Sequence, residues 1–237
     1  DITEEPMEVG PTTHYMMGGI SVDAETGASS LKGMYAAGEA AAGLHGANRL
    51  GGNSLSDLLV FGNISGRAAA NFALNNEEIS FNKGKVKQAV SEILACFSSE
   101  KTENPYHLHQ ELQDIMEMHA GIVREEESFN VGIEMLIDLS KRVDNAKATG
   151  DRAYNPSWHL CLDMKNMIIT SIAVAEAAKE RRESRGGHTR LDYPEYDDDL
   201  GMVNIIIRKG PDELNIVKSD KKIMPDDLQS FVMKEAV

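Results

Sequence analysis

The sequence of 237 residues holds only two cysteines, one tryptophan and 5% aromatic residues. Cys96 and Cys161 fall inside helical patterns with no CxxC spacing. That argues against a disulfide framework or a thiolate metal site and leaves two core thiols in a reducing compartment. No apolar run approaches the ~20 residues of a membrane-spanning helix. The longest, MIITSIAVAEAA from Met167 to Ala178, is broken by polar residues and reads as a buried helix. Basic residues are in short supply as well, with 24 Lys and Arg against 38 Asp and Glu and a formal charge of −14. No basic stripe exists to neutralise nucleic-acid phosphates, and any anion site must carry its own positive groups. No leader sequence is apparent, and the chain does not open on methionine, so it reads as a piece of a longer protein. What remains, 41% hydrophobic and 26% charged residues, is the balance of a soluble globular protein.

Residues 1–35 read as loops and short strands, with Gly18, Gly19, Gly27 and Gly33 punctuating runs that contain Ile20, Val22, Leu31 and Tyr35. A helix is expected from about Ser54 to Leu74, with Asn53 or Ser54 as its cap and Asp57 in its first turn. Gly62, Gly66 and Ala70 line one face of it, smooth enough for close approach of backbone or ligand. From residue 84 the pattern becomes helical throughout. One helix follows Asn104-Pro105 and carries Leu108, Leu112, Ile115, Met116, Ile122 and Val123. A second places Ile133, Leu136, Ile137, Ser140 and Val143 on one face. A third starts at Asn155-Pro156, with Trp158 as a core anchor, and runs to about Glu183. Three helices with short connections predict an antiparallel bundle. The last part holds two strand-like runs, MVNIIIRKG and LNIVKS, and a short closing helix. The domain expectation is therefore 1–83, 84–184 as the bundle, and 185–237 as a tail with a β-hairpin.

The stretch HGANRLGGNSLSD, residues 45–57, sets one arginine in a glycine-rich turn just before a helix. Such a turn offers free N–H groups to an anion, and Arg49 can grip a carboxylate through two parallel hydrogen bonds. His14, in PTTHYMMGG, and Glu39, in YAAGEA, stand in loops nearby in sequence. An acidic side chain after a strand and a glycine commonly meets a ribose or polyol hydroxyl. These residue types alone indicate an anion or nucleotide site. His107 and His109 sit two apart and so point to different helix faces; with His119 they read as surface residues rather than metal ligands. The REEES and DDD runs read as solvated acidic faces.

Three blocks, PTTHYMMGGI, GMYAAGEAAAGLHGANRLGGNSLSDLLVFG and ERRESRGGHTRLDYPEYDDD, together resemble the flavoprotein subunit of succinate dehydrogenase and fumarate reductase, in the family's order and spacing. The resemblance covers essentially the whole chain. It implies an α+β, mostly α fold: the end of a FAD-binding α/β domain, then the antiparallel three-helix bundle, then a small tail. It implies FAD as cofactor and succinate or fumarate as substrate. By position, His14 and Arg49 resemble the substrate carboxylate ligands, and Glu39, Ser54 and Leu55 resemble residues contacting FAD, with Asn53 beside them. A helix starting at Ser54 would aim its positive end at the flavin's electron-rich pyrimidine edge. The family's GxGxxG start, its flavin-linking histidine and its proton-shuttling arginine match nothing in this sequence. No catalytic proton-transfer residue is therefore expected here, and the chain alone is expected neither to retain FAD nor to turn over. The partners implied are an iron–sulfur subunit and, through it, membrane anchors and quinone, on the cytoplasmic face of a membrane. Arg185, His188 and Arg190 lie in the third block and are expected to close the flavin domain or meet a partner. The rivals are L-aspartate oxidase, a soluble fumarate reductase, or a non-enzymatic helical interaction module built on residues 84–184.

Overall fold

The computed structural model describes residues 3–8, 10, 14–76, 81–210 and 214–232. The segments read as early strands form only isolated bridges, Ile20 with Ala41, Val22 with Ser29 and Ala28 with Tyr35. Helix α1 spans Asn53–Leu74. Its cap is not Asn53 or Ser54 but Gly52, in the left-handed region at φ 84, and no side chain caps the first turn. Glycine reaches that conformation without strain, so the turn needs no help from the polar side chains that follow. The Gly62/Gly66 face meets nothing within 4 Å of where a Cβ would stand, and Leu55, Leu58, Leu59 and Val60 are all more than half exposed. A short helix α2, Lys83–Leu94, precedes the bundle and buries no residue.

The bundle consists of α3 (Pro105–Ala120), α4 (Glu126–Val143) and α5 (Pro156–Glu180), each packed against the other two. Asn104 and Asn155 cap α3 and α5, accepting from the backbone N–H of Tyr106 and Trp158, and a proline at the first helical position completes each start. Leu108, Phe129, Leu136, Leu139, Met164 and Ile168 are essentially inaccessible and form the core. Each contributes roughly 1.5–3 kcal/mol of burial. Ile137, expected on the inner face of α4, is 43% exposed, and Leu139 takes the inner position. Ile122 and Val123 likewise fall outside the core, because α3 has already ended at Ala120. Both cysteines are buried and free; burial, with Cys96 alongside, pushes the Cys161 thiol up to about 11. Trp158 packs edge-on against Phe97 and donates its indole N–H to Ile93 O at 2.9 Å.

The tail is bound to the bundle by charge buried in unusual amounts. A two-residue parallel pair joins β1 (Val123–Arg124) to β2 (Thr189–Arg190). A four-residue helix, α6 (Asp198–Gly201), leads into the antiparallel hairpin β3 (Val203–Lys209) and β4 (Leu214–Asp220), and α7 (Asp226–Val232) ends the described chain. Arg190 is 1% exposed. Its Nη1 donates to the carbonyls of Ala178, Lys179 and Arg181 at the end of α5, while Nε and Nη2 grip both oxygens of Asp192 at 2.7 and 2.6 Å. A cation spends its donors well there, on carbonyls the helix leaves unpaired and at the negative end of its dipole. Glu183, fully buried, accepts from Arg181, from Arg185 and from the backbone N–H of Asp197. Within the acidic REEES run, Glu126 lies 3.5 and 3.7 Å from Arg182 and Arg190 and so joins this network, while Glu125 and Glu127 are exposed as a solvated face would be.

This junction makes stability depend on pH. Burial opposes ionisation of Glu183, but the donors of Arg185, Asp197 and Arg181 outweigh it and hold the carboxyl at about 2. The Arg190 guanidinium likewise holds Asp192 at about 2. Burial displaces His188 downward, and the Arg124 charge adds to it. His188 Nδ1 faces Arg124 Nη1 at 2.9 Å and Nε2 faces Arg181 O at 3.0 Å, which requires a neutral ring protonated on Nε2. All three groups bind fewer protons folded than unfolded. These three groups should therefore leave stability unchanged between about pH 7 and 8, lower it as pH drops below about 6.5 while His188 protonates in the unfolded chain, and lower it again below about 4.5 as the carboxylates do. Urea midpoints measured at about pH 7.5 and 5.5 should differ for the native sequence, and His188→Gln should reduce that difference.

Candidate functional site

Three loops converge at the start of α1. The first, residues 14–20, is stitched to the second, residues 38–42, by Ile20 N–H donating to Ala40 O at 2.8 Å and Ala42 N–H donating to Ile20 O at 2.9 Å. Gly38 sits at φ 66, and a Cβ there would lie 2.5 Å from Leu58 Cδ2. Only glycine lets the 3₁₀ turn Gly38–Ala40 lie this close to α1. The turn holds Glu39, whose Oε1 accepts from Met16 N–H at 2.8 Å.

The glycine-rich loop then brings Arg49 back over the first segment. Its guanidinium lies 4.8 Å above the Tyr15 ring, Nη1 donates to Leu50 O at 3.2 Å, and Nη2 stands 3.4 Å from His14 Nδ1. Its Nε is buried without a hydrogen-bond partner. Beneath the ring, Tyr15 Oη is 3.3 Å from Asp57 Oδ2 and 3.1 Å from His45 Nε2, and His45 Nε2 is 3.3 Å from the same Asp57 oxygen. Asp57 is 4% exposed. Burial raises the Tyr15 hydroxyl above its ordinary range, and the adjacent Asp57 carboxylate adds to it, so Tyr15 stays a protonated donor. The tail supports the loop from outside. Gly186, at φ 59, leaves no room for a side chain because a Cβ would stand 2.6 Å from Ala47 O, and Gly187 N–H donates to that same oxygen at 2.9 Å.

Of the sequence-selected residues, His14 and Arg49 thus come together across 35 positions, with Glu39 bonded into the His14 segment. Asn53, Ser54 and Leu55 open α1, where Leu55 is 67% exposed. Residues 11–13 of the first block lie outside the described residues. Sequence reasoning missed Tyr15, His45 and Asp57 as site residues; their separations of 30 and 42 residues carry no local pattern, and Asp57 stood out only as an acidic residue near a helix start. His119 is not a plain surface residue, since it is half-buried and paired with Ser128 at 3.0 Å. Arg190 and Glu183, being buried in the tail junction, face neither solvent nor the loops of the site. Among the described residues no cluster of His, Cys, Asp or Glu could hold a metal. A cavity of about 200 Å³ at the N-terminal ends of α3 and α5 is lined by none of the residues selected for the substrate or cofactor site.

An uncapped helix start beside an unspent arginine donor is suited to an anion. The comparisons with known proteins bear on which one. Residues 109–227 match the model described as fumarate reductase flavoprotein C-term, and residues 1–55 match an FAD binding domain. The chain belongs to the succinate dehydrogenase and fumarate reductase flavoprotein family. The succinate dehydrogenase flavoprotein subunit of Coxiella burnetii is 39% identical over 211 residues, which are 84% of this chain and 36% of that protein. Among solved structures, the Mycobacterium smegmatis Sdh1 complex in the apo form superposes with a TM-score of 0.89 at 43% identity, over 99% of this chain and 41% of the other. The E. coli quinol fumarate reductase superposes with a TM-score of 0.80 at 31% identity, over 93% and 39%. The chain spans little more than a third of the length of the curated relatives it matches. The fold class is as expected, mostly helical with few strands. The relatives named here are succinate dehydrogenases and fumarate reductases, which does not favour aspartate oxidase or a non-enzymatic helical module.

The residues present fit an FAD. The start of α1 has no side-chain cap, Gly51 and Gly52 face open space, and the apolar residues Leu55, Leu58 and Leu59 are uncovered beside it. FAD is the cofactor of the complete family protein.

Proposed function

We propose that this chain supplies one half of the active site of an FAD-dependent enzyme that interconverts succinate and fumarate. The observation that carries the reading is the pairing of Arg49 with His14 at the mouth of the uncapped α1. Arg49 and His14 hold one carboxylate of the substrate, Arg49 through its planar fork and His14 through a ring nitrogen. Holding that carboxylate fixes the substrate's reacting carbons against the cofactor and draws electron density toward the clamp. Ser54 and Leu55, with Asn53 beside them, form the start of α1 against which the cofactor lies, and Glu39 contributes from the facing turn. The flavin, when bound, supplies the hydride acceptor or donor. No group of this chain is assigned the proton transfer. The electrons pass to an iron–sulfur partner and through it to membrane anchors and quinone; no helix of the described residues is itself long and apolar enough to cross a membrane. The placement at the cytoplasmic face belongs to the same proposal.

Turnover of the complete flavoprotein with an artificial electron acceptor tests this reading. Succinate should be oxidised and aspartate left untouched; oxidation of aspartate alone would remove it. The isolated chain should show no flavin absorbance, and full flavin occupancy would contradict the division of the site between this chain and the rest of the protein.

A further inference from the structure

The clamp has a second layer for which substrate binding alone does not account. A guanidinium on a glycine-rich loop has many orientations available to it, and only one matches a carboxylate through parallel hydrogen bonds. The Arg49 guanidinium is held over the face of Tyr15, its central carbon 4.8 Å from the ring centre. Tyr15 in turn cannot swing, because its ring meets His45 edge-on at 5.0 Å and its hydroxyl is bound to His45 and Asp57. Asp57 Oδ2 accepts from the Tyr15 hydroxyl and lies 3.3 Å from His45 Nε2, and the burial of this carboxylate makes losing its donor costly. Asp57 also belongs to α1, the helix whose N-terminus faces the proposed flavin position. One buried carboxylate thus ties the clamp to the helix that addresses the cofactor.

We infer that Tyr15, locked by His45 and Asp57, is the positioning residue of the Arg49 clamp and thereby sets the affinity for a dicarboxylate. The ring supplies an electron-rich face over which a guanidinium lies parallel, and the hydroxyl contacts keep that face in register. The inference rests on the proposed role of Arg49 in carboxylate binding and adds to it a determinant that never touches the substrate.

The test uses the complete flavoprotein and malonate, a dicarboxylate with no CH–CH bond to oxidise, read through perturbation of the flavin spectrum. Tyr15→Leu should weaken malonate binding about tenfold, Tyr15→Phe about threefold, and Asp57→Asn to a similar degree as Tyr15→Phe, with flavin content unchanged. The succinate KM should rise with the malonate constant, while kcat at saturation moves less than twofold, about what a lost orientation rather than a lost reacting group produces. Should Tyr15→Leu fail to retain flavin, the losses in Tyr15→Phe and Asp57→Asn decide the matter on their own. Wild-type affinity and KM in Tyr15→Phe and Asp57→Asn, and in Tyr15→Leu where it retains flavin, would overturn the inference while leaving the Arg49 clamp standing. A native protein that ignores malonate, or an Arg49→Ala variant that binds it normally, would overturn the clamp and this inference together.

Discussion

Replacing Arg49 with alanine in the complete flavoprotein should cut succinate turnover by roughly 10²–10³-fold, the scale for losing a donor aimed at a reacting group. Flavin content should stay at the native level, because the residues assigned to the cofactor lie at the start of α1 and on the Gly38–Ala40 turn rather than on Arg49. The chain's formal charge of −14 makes this loss hard to compensate. A field of that sign repels a dianion at long range, so only a local cation holds it. Arg49→Lys should recover little, since a point charge cannot reproduce a planar fork stacked on Tyr15. Activity assays alongside flavin absorbance separate the two effects; near-native turnover in Arg49→Ala would remove the clamp.

Arg190→Met should destabilise the protein by about 3–5 kcal/mol, the range for removing one partner of a buried charge network. The change strands the carbonyls of Ala178 and Lys179 at the end of α5 and leaves Asp192 without its bidentate partner. It also removes the guanidinium stacked at 5.4 Å from Phe129 and 4.9 Å from Tyr193. For a chain of this size the melting temperature should fall on the order of 10 °C. Adding Asp192→Asn to Arg190→Met should recover part of the loss, because the carboxylate then no longer needs a cation. Thermal melts of the single and double variants check this, and a single variant within about 1 °C of native would contradict the buried-network account.

Much of this fold was legible because its helices carry their own punctuation. Asn104-Pro105 and Asn155-Pro156 announce α3 and α5, since an asparagine side chain and a proline at the first position satisfy the same end of a helix from two sides. The strand-like runs MVNIIIRKG and LNIVKS, rich in β-branched residues, likewise marked the β3–β4 hairpin. The start of α1 was placed correctly and its cap wrongly. Asn53 and Ser54 are the usual capping types, but Gly52 adopts a left-handed conformation that starts the helix without either. Arg190 was expected to close the flavin domain or meet a partner, and Glu183 marked only the approximate end of the third helix. Nothing in RESRGGHTRLD reveals that its charges face one another in the interior, because burial of a charge depends on partners that only the fold supplies. The site divides in the same way. His14, Glu39 and Arg49 were read from blocks that resemble a family, whereas Tyr15, His45 and Asp57 come together through loop geometry across 30 and 42 residues.

A structure of the complete flavoprotein with fumarate bound tests the central claim most directly. It should place a carboxylate of the ligand within about 3 Å of the Arg49 guanidinium and a ring nitrogen of His14, with the flavin over the start of α1. A carboxylate held by other residues, with Arg49 still turned to Leu50 O and away from the ligand, would contradict it.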